Sequence, residues 1–333
     1  MAATQLTADL HPLLTEYVIK KLQKNRLTTV YSFVKVEAEQ LIKITNLPAE
    51  SIVLVKNQLI ERFAGQYRNA QLHTVQASVP FATGILPIDG LLQGGLIPGH
   101  IYEFCGKSGT GKTLLCMTIA TSVAMLQRSS VYYIDTKCDF SGRKIQQILD
   151  KGQRKLTEQE LGHTMARIRV ERIFSPELLV QVVEELATGK YHQQDTHLKL
   201  LVIDSLPSLW YLFQDSSSSI EPLGLLTKLI CSLRKLATQQ NVAVVLVNLA
   251  VRMVDGMAGS STIESKRKLC PNGNYPALGR YWESAPGTRL LLERDDDEEP
   301  LADSITRSVR VWKSNYLRTG ERTIVRMTDA GVR

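Results

Sequence analysis

An α/β core on a mostly parallel sheet, preceded by a small all-α domain, is the fold class this sequence predicts. Three observations carry it. Gly106-Lys107-Ser108-Gly109-Thr110-Gly111-Lys112-Thr113 matches G-x-x-x-x-G-K-[ST] between a strand-like and a helix-like run. From Thr83 onward strand-like and helix-like segments alternate, the signature of a parallel sheet covered on both faces. Ahead of them, Leu14, Val18 and Leu22, and again Ile52, Val55, Leu59 and Phe63, recur at helical spacing. The expected organisation is a helical domain over 1–65, a linker over 66–82 and the core over 83–333.

The bulk properties fit one large domain plus a small one. With 44% hydrophobic and 22% charged residues among 333, the chain has ample core. No apolar run approaches the length of a membrane span, and the first ten residues lack the basic-then-apolar pattern of a secretion signal. An intracellular protein with no membrane partner is expected. The five cysteines show no CxxC pairing, and Cys105, Cys116 and Cys231 stand in apolar contexts. Buried free thiols are therefore expected rather than a metal site or a disulfide. A formal charge of +7 suits a polyanion partner without demonstrating one.

Within 12–65, short segments around Val30-Tyr31-Ser32-Phe33 and Glu39-Gln40-Leu41-Ile42 separate the two periodic runs. The turn Thr45-Asn46-Leu47-Pro48-Ala49-Glu50 sits where a helix–hairpin–helix unit would place its hairpin. It holds no glycine to bring backbone N–H groups up to a DNA phosphate, so a packing or partner-docking unit is preferred to a DNA clamp. Residues 66–82 are polar and aperiodic and contain Pro80, as a linker would. Tyr67, Leu72 and Val75 either dock on a neighbouring subunit or fold back on their own domain.

In the core, Ile101-Tyr102-Glu103-Phe104-Cys105 reads as a buried strand, and 114–126 as a helix that is apolar almost all round. Further strands are expected at 131–135, 168–174, 199–204 and 242–248. Helices are expected from Gly142, over 178–186 with Pro176 at the start, and over 221–240. The stretches 289–293, 308–313 and 322–327 read as antiparallel hairpin strands. The acidic run Asp295-Asp296-Asp297-Glu298-Glu299 reads as a solvated join, and Ser216 to Ser219 is the one low-complexity patch.

The phosphate-loop residues are those the chemistry needs. Gly106, Gly109 and Gly111 let the backbone curl so that successive N–H groups face phosphate oxygens, at the N-terminus of a helix. Lys107, Ser108 and Thr110 complete the loop, Lys112 supplies charge for the β- and γ-phosphates, and the Thr113 hydroxyl is a Mg²⁺ ligand. The apolar run from Leu200 ends in Asp204, a carboxylate for the Mg²⁺ shell. ATP and Mg²⁺ are the expected cofactors, with Lys112 and Asp204 as the candidate catalytic residues.

These motifs and their surroundings resemble the RecA-type strand-exchange ATPases. The resemblance rests on Thr83-Gly84-Ile85, Ile88-Asp89, Leu91 to Leu96, and Pro98-Gly99 ahead of the loop. It continues through Tyr132 to Thr136, Leu201 to Ser205, Val244 to Asn248 and Val254-Asp255-Gly256. Pro276-Ala277-Leu278-Gly279-Arg280-Tyr281-Trp282 with Thr288-Arg289-Leu290 is similar to the eukaryotic recombinase paralogues. The resemblance implies a RecA-like P-loop ATPase core with antiparallel C-terminal strands. It implies homologous recombination and double-strand break repair in the nucleus, in a hetero-oligomer with other paralogue subunits that helps load a recombinase on single-stranded DNA. A ring helicase on the same core is disfavoured by the 276–282 segment.

Two departures change the expected chemistry. Strand-exchange enzymes carry a water-orienting glutamate two residues after the Asp135 position, and this chain has Lys137, of the wrong charge and without an acceptor. Asp139 is the nearest acid that can face the same side. After Asn248, where the active recombinases carry a γ-phosphate-sensing glutamine, stands Leu249. Weak DNA-stimulated ATP hydrolysis at most is expected, and a non-hydrolysing scaffold with ATP as an interface ligand is the alternative.

Two segments, 210–221 and 251–280, fall where the family binds single-stranded DNA. The second carries Arg252, Lys266, Arg267, Lys268 and Arg280 with Tyr275 and Tyr281 interleaved. It either follows a phosphate backbone and stacks on bases or is a solvated loop. Trp210 and Phe213 are either core or DNA-facing. Lys313 falls where family members approach the γ-phosphate of the adjacent subunit; the other reading is an exposed strand-end charge.

Overall fold

The computed structural model describes residues 4–63, 78–152, 155–189, 198–210, 220–252, 273–294 and 305–333. The chain divides into two compact units, Met1–Ala77 and Ser78–Arg333.

Among its described residues the first unit holds a 3₁₀ turn (Ala8–Leu10) and four α-helices: α1 (Glu16–Lys24), α2 (Val30–Lys35), α3 (Ala38–Thr45) and α4 (Ala49–Phe63). Thr15 caps α1, and Thr29 with Ser32 forms a capping box on α2. Each cap satisfies an orphan N–H and marks where the chain turns helical. The periodic residues Leu14, Val18, Leu22, Ile52, Val55 and Leu59 are buried together, with Phe33 and Leu41. The glycine-free turn after α3 is built by Asn46 in the left-handed region, φ 62°, its N–H donating to the Ile42 carbonyl at 2.9 Å. Asparagine tolerates that conformation better than most residues, so the lack of glycine did not prevent a tight hairpin.

The second unit begins with α5 (Leu86–Leu91), on either side of which Phe81 and Leu96 form an antiparallel bridge. Its strands are β1 (Ile101–Gly106), β2 (Ser130–Asp135), β3 (Ile168–Arg172), β4 (Leu198–Asp204), β5 (Ala243–Arg252), β6 (Asn274–Pro276), β7 (Thr288–Arg294), β8 (Ile305–Ser314), β9 (Arg322–Thr328) and β10 (Gly331–Val332). Its remaining helices are α6 (Lys112–Leu126), α7 (Gly142–Asp150), α8 (Glu158–Ala166), α9 (Pro176–Ala187), α10 (Pro207–Trp210), α11 (Ile220–Gln240) and α12 (Gly279–Trp282). The strands run β10-β9-β8-β7-β1-β5-β4-β2-β3, with β6 paired to β5. From β7 to β3 all pairs are parallel, and β8, β9 and β10 extend the sheet antiparallel.

Period-2 alternation sends side chains to two cores. Tyr133, Leu200, Val202, Val245 and Val247 pack with α6 and α7 on one face. Ile134, Leu201, Ile203, Val244 and Leu246 pack with α9 and α11 on the other. A strand buried on both faces must be apolar throughout, which is why these runs read so clearly. Trp210 belongs to the second core; Phe213 lies outside the described residues. So do the serine patch, the acidic join, residues 64–65, and residues 66–77 of the expected linker with Tyr67, Leu72 and Val75.

Helix α8 went unread in the sequence although Thr157 and Glu160 form its capping box. Cys105 and Cys116 are buried free thiols as expected, but Cys231 is exposed. It lies on the face of α11 that also carries Lys228, Arg234 and Lys235, opposite the buried Leu229 and Leu233. Among the described residues no helix is long and apolar enough to cross a membrane.

Candidate nucleotide site

Four parallel neighbours, β1, β5, β4 and β2, end at one edge of the sheet and deliver Gly106, Asn248, Asp204 and Asp135 there. That carboxyl edge is where open α/β sheets receive ligands. Between β1 and α6 the phosphate loop turns back on itself. Gly111 caps α6 at φ 91°, and a Cβ there would collide with Met327 of β9. A Cβ on Gly106 would fall 2.9 Å from the Thr110 hydroxyl and against the Leu292 carbonyl. Gly106 therefore excludes a side chain by its close approach to the Leu292 backbone, and Gly111 by its positive φ.

The loop opens into a cleft of about 690 Å³, lined among others by Gly109, Lys112, Thr113, Lys137, Asp139 and Leu249. Lys112 is nearly buried, and its ammonium donates to the Gly106 and Lys107 carbonyls at 2.7 Å each. Burial pushes its pKa down to about 8. The ammonium also donates to the Thr110 hydroxyl at 3.4 Å, and an ammonium held by neutral oxygens gains when an anion enters the cleft. Thr113, one residue on, is half-buried and faces the same space.

Asp204 is fully buried. One oxygen, Oδ2, accepts from the Tyr133 hydroxyl at 3.0 Å; the other, Oδ1, has no hydrogen-bond partner and faces the Lys137 ammonium at 3.4 Å. The same ammonium meets Asp139 at 2.8 Å. Burial opposes the charge on Lys137, but attraction to Asp204 and Asp139 outweighs it and the pKa is raised. Asp139 does face the cleft, as expected, but its carboxylate is taken up by Lys137. Asp135 accepts from the N–H groups of Lys137, Asp139 and Phe140 at 3.1 to 3.2 Å and so pins the loop after β2.

The residues fit the expected ligand. The glycine cradle leaves room that side chains would fill, and the Asp204 oxygen that accepts no hydrogen bond meets the Lys137 ammonium at 3.4 Å. Among the described residues no group of three or more His, Cys, Asp or Glu could hold a metal ion.

One cluster escaped the sequence reading. Glu103 sits mid-strand in β1 with no exposed surface. Its Oε1 accepts from Asn248 Nδ2 and Trp282 Nε1, both at 2.7 Å, while Oε2 receives Arg289. The Arg289 guanidinium also lies 5.5 Å from the Trp312 ring centre. Asn248 in turn accepts from the Leu249 N–H at 2.7 Å, so this cluster fixes the backbone beside the cleft.

Of the expected DNA-facing residues, Lys266, Arg267 and Lys268 lie outside the described residues. Arg252 ends β5 and Arg280 stands in α12, described by backbone alone. The pairing Arg252↔Asn274 and Val251↔Tyr275 brings the two ends of that segment side by side. Tyr275 is half-buried; Tyr281 is exposed and shares a hydrogen bond with Thr227 at 2.7 Å. Lys313 is no free strand-end charge: it is half-buried and donates to the Glu283 and Pro286 carbonyls at 2.8 and 3.0 Å.

A phosphate loop on the central strand of a parallel sheet, with antiparallel strands added beyond it, defines a RecA-like fold. Within that class the chain belongs to the Rad51 family, whose sequence profile, described as Rad51, matches residues 75–323. A second profile, described as the RAD51D N-terminal domain, matches residues 2–61. The chain is 29% identical to the DNA repair protein RAD51 homolog 4 of Bos taurus, over 98% of this chain and 96% of that protein. It is 26% identical to the DNA repair protein RAD51 homolog B of Zea mays, over 86% and 82%. Among solved structures the RadB recombinase matches with a TM-score of 0.56 at 19% identity, covering 76% of this chain and 98% of that one.

Proposed function

We propose that this chain is an ATP-binding accessory protein of homologous recombination and DNA double-strand break repair. It acts in the nucleus within a hetero-oligomer of recombinase paralogues and assists recombinase loading on single-stranded DNA. Family membership and the relatives named for DNA repair support the process; the cleft supports the ligand. In it Lys112 would engage the β- and γ-phosphates, and Thr113 and Asp204 would hold Mg²⁺, which neutralises charge on the phosphates when bound. The observation that carries the reading is the phosphate-loop cleft lined by Lys112 and Thr113, and the Lys137 ammonium beside Asp204, where the family resemblance implies a carboxylate, argues for slow turnover. The site is equipped to bind and poorly equipped to hydrolyse.

Lys112→Ala is expected to erase most of the ATP-dependent rise in melting temperature, a shift worth about 2.7 kcal/mol at a hundredfold excess over Kd. A full shift in the mutant would refute the role of Lys112. For DNA, neutralising Lys266, Arg267 and Lys268 together should weaken single-strand binding about equally for all sequences and flatten the salt slope by roughly 2 to 3 units. Unchanged affinity returns these residues to a solvated loop.

Lys137 together with Leu249 favours a second reading, in which ATP is a structural interface ligand that is hardly turned over. Steady-state ATPase measurements with and without DNA, on the chain and on its complex, separate the two.

A further inference from the structure

Resting on the nucleotide reading above, we propose that Lys137 is a built-in cation of the site. It holds Asp204 when no divalent ion is bound, and it lets the cleft take a nucleoside triphosphate with little dependence on Mg²⁺. A charged carboxylate without exposed surface is costly unless a counter-charge faces it. For Asp204 the tyrosine hydroxyl serves one oxygen, and the Lys137 ammonium is the cation facing the other.

The placement of that ammonium is built in. Asp139 grips it at 2.8 Å, and the backbone of both residues is pinned on the buried Asp135 carboxylate. A hydrated Mg²⁺ drawing on Asp204 would compete with it for Oδ1. The Lys137 side chain is also one-third exposed and lines the cleft with Lys112 and Thr113, so its charge faces the phosphates as well. Lys144 lines the same cleft but is shared with Asp329 at 3.5 Å. Two lysines fixed around a triphosphate supply much of the neutralisation a divalent ion gives elsewhere.

The test is the affinity of the full-length chain for ATP in excess Mg²⁺ and in EDTA, read with a fluorescent ATP analogue and by thermal shift. Wild type is expected to lose less than about threefold on chelation. Lys137→Met, lacking one charge-assisted contact, should lose roughly tenfold more than wild type does. Lys137→Arg should keep the wild-type ratio. If Lys137→Met does not fold, Asp139→Asn loosens the tether while keeping the charge, and an intermediate loss is expected. A tenfold or greater loss for wild type, or losses for Lys137→Met and Asp139→Asn equal to that of wild type, overturns the proposal. No ATP binding by wild type in either buffer would instead overturn the nucleotide reading, and this inference with it.

Discussion

Two buried carboxylates on one sheet are handled in opposite ways. Glu103 is enclosed, with donors from β5, α12 and β7 converging on its two oxygens. Asp204, just as buried, is short of donors, and the cation that compensates it stands half in the cleft. A carboxylate whose lone pairs are occupied by the fold serves the fold. One left incomplete at the mouth of a cavity is where a ligand completes the shell. The contrast separates structural from functional charge on geometry alone.

The largest expected effect breaks the enclosed cluster. Arg289→Met strands Glu103 without its ionic partner and should lower the unfolding free energy by about 3 to 5 kcal/mol. Urea denaturation reads the loss, and adding Glu103→Gln should recover a good part of it. A cost below about 1 kcal/mol would mean that the pair behaves like an exposed one, and the contrast would collapse.

A smaller effect is expected at the open cluster. Lys137→Glu sets a carboxylate against Asp204, so the nucleotide-free protein should melt lower, by an amount in the range of about 1 to 3 kcal/mol for an uncompensated buried group. With ATP and Mg²⁺ the same variant should hydrolyse faster than wild type, because an acceptor now stands where an attacking water needs one. Wild-type turnover at roughly 1 per second or faster would sink the slow-hydrolysis reading.

How legible each cluster was in the sequence follows from how local it is. The phosphate loop is eight consecutive residues whose glycines are dictated by backbone shape, so their spacing alone was sufficient. The doubly buried strands were legible because burial on both faces leaves no polar residues to confuse the run. Glu103 was invisible for the same reason: a lone charge in such a run signals nothing until β5, β7 and α12 bring up Asn248, Arg289 and Trp282. Lys137 was read for what it replaces, a water-orienting acid. Its grip on Asp204 appears only once β2 and β4 are known to be neighbours. The exposure of Cys231 was missed because an apolar stretch of sequence says nothing about which side of a helix one residue takes.

The smallest effect lies at the rim of the enclosed cluster. Lys313 stands opposite Arg289 in the β7–β8 register and ties down the turn after α12 through the Glu283 and Pro286 carbonyls. Burial, and then the nearby Arg289 charge, lower its pKa from 10.5. The folded chain therefore holds this proton less tightly than the unfolded chain does. Between the lowered value and 10.5 the unfolded state carries more protons, so this residue makes stability rise with pH. Lys313→Met keeps the stem but removes the titration, and the rise as the pH climbs towards 10.5 should be steeper in wild type than in the mutant. Parallel curves would show that the ammonium is solvated like an exposed one. The same variant tests the interface role that the family resemblance implies. If Lys313 also reaches a triphosphate on the adjacent subunit, ATP-dependent association with the partner should weaken while the chain's own ATP binding holds. Equal association in ATP would leave Lys313 with the local role alone, a clamp on two carbonyls.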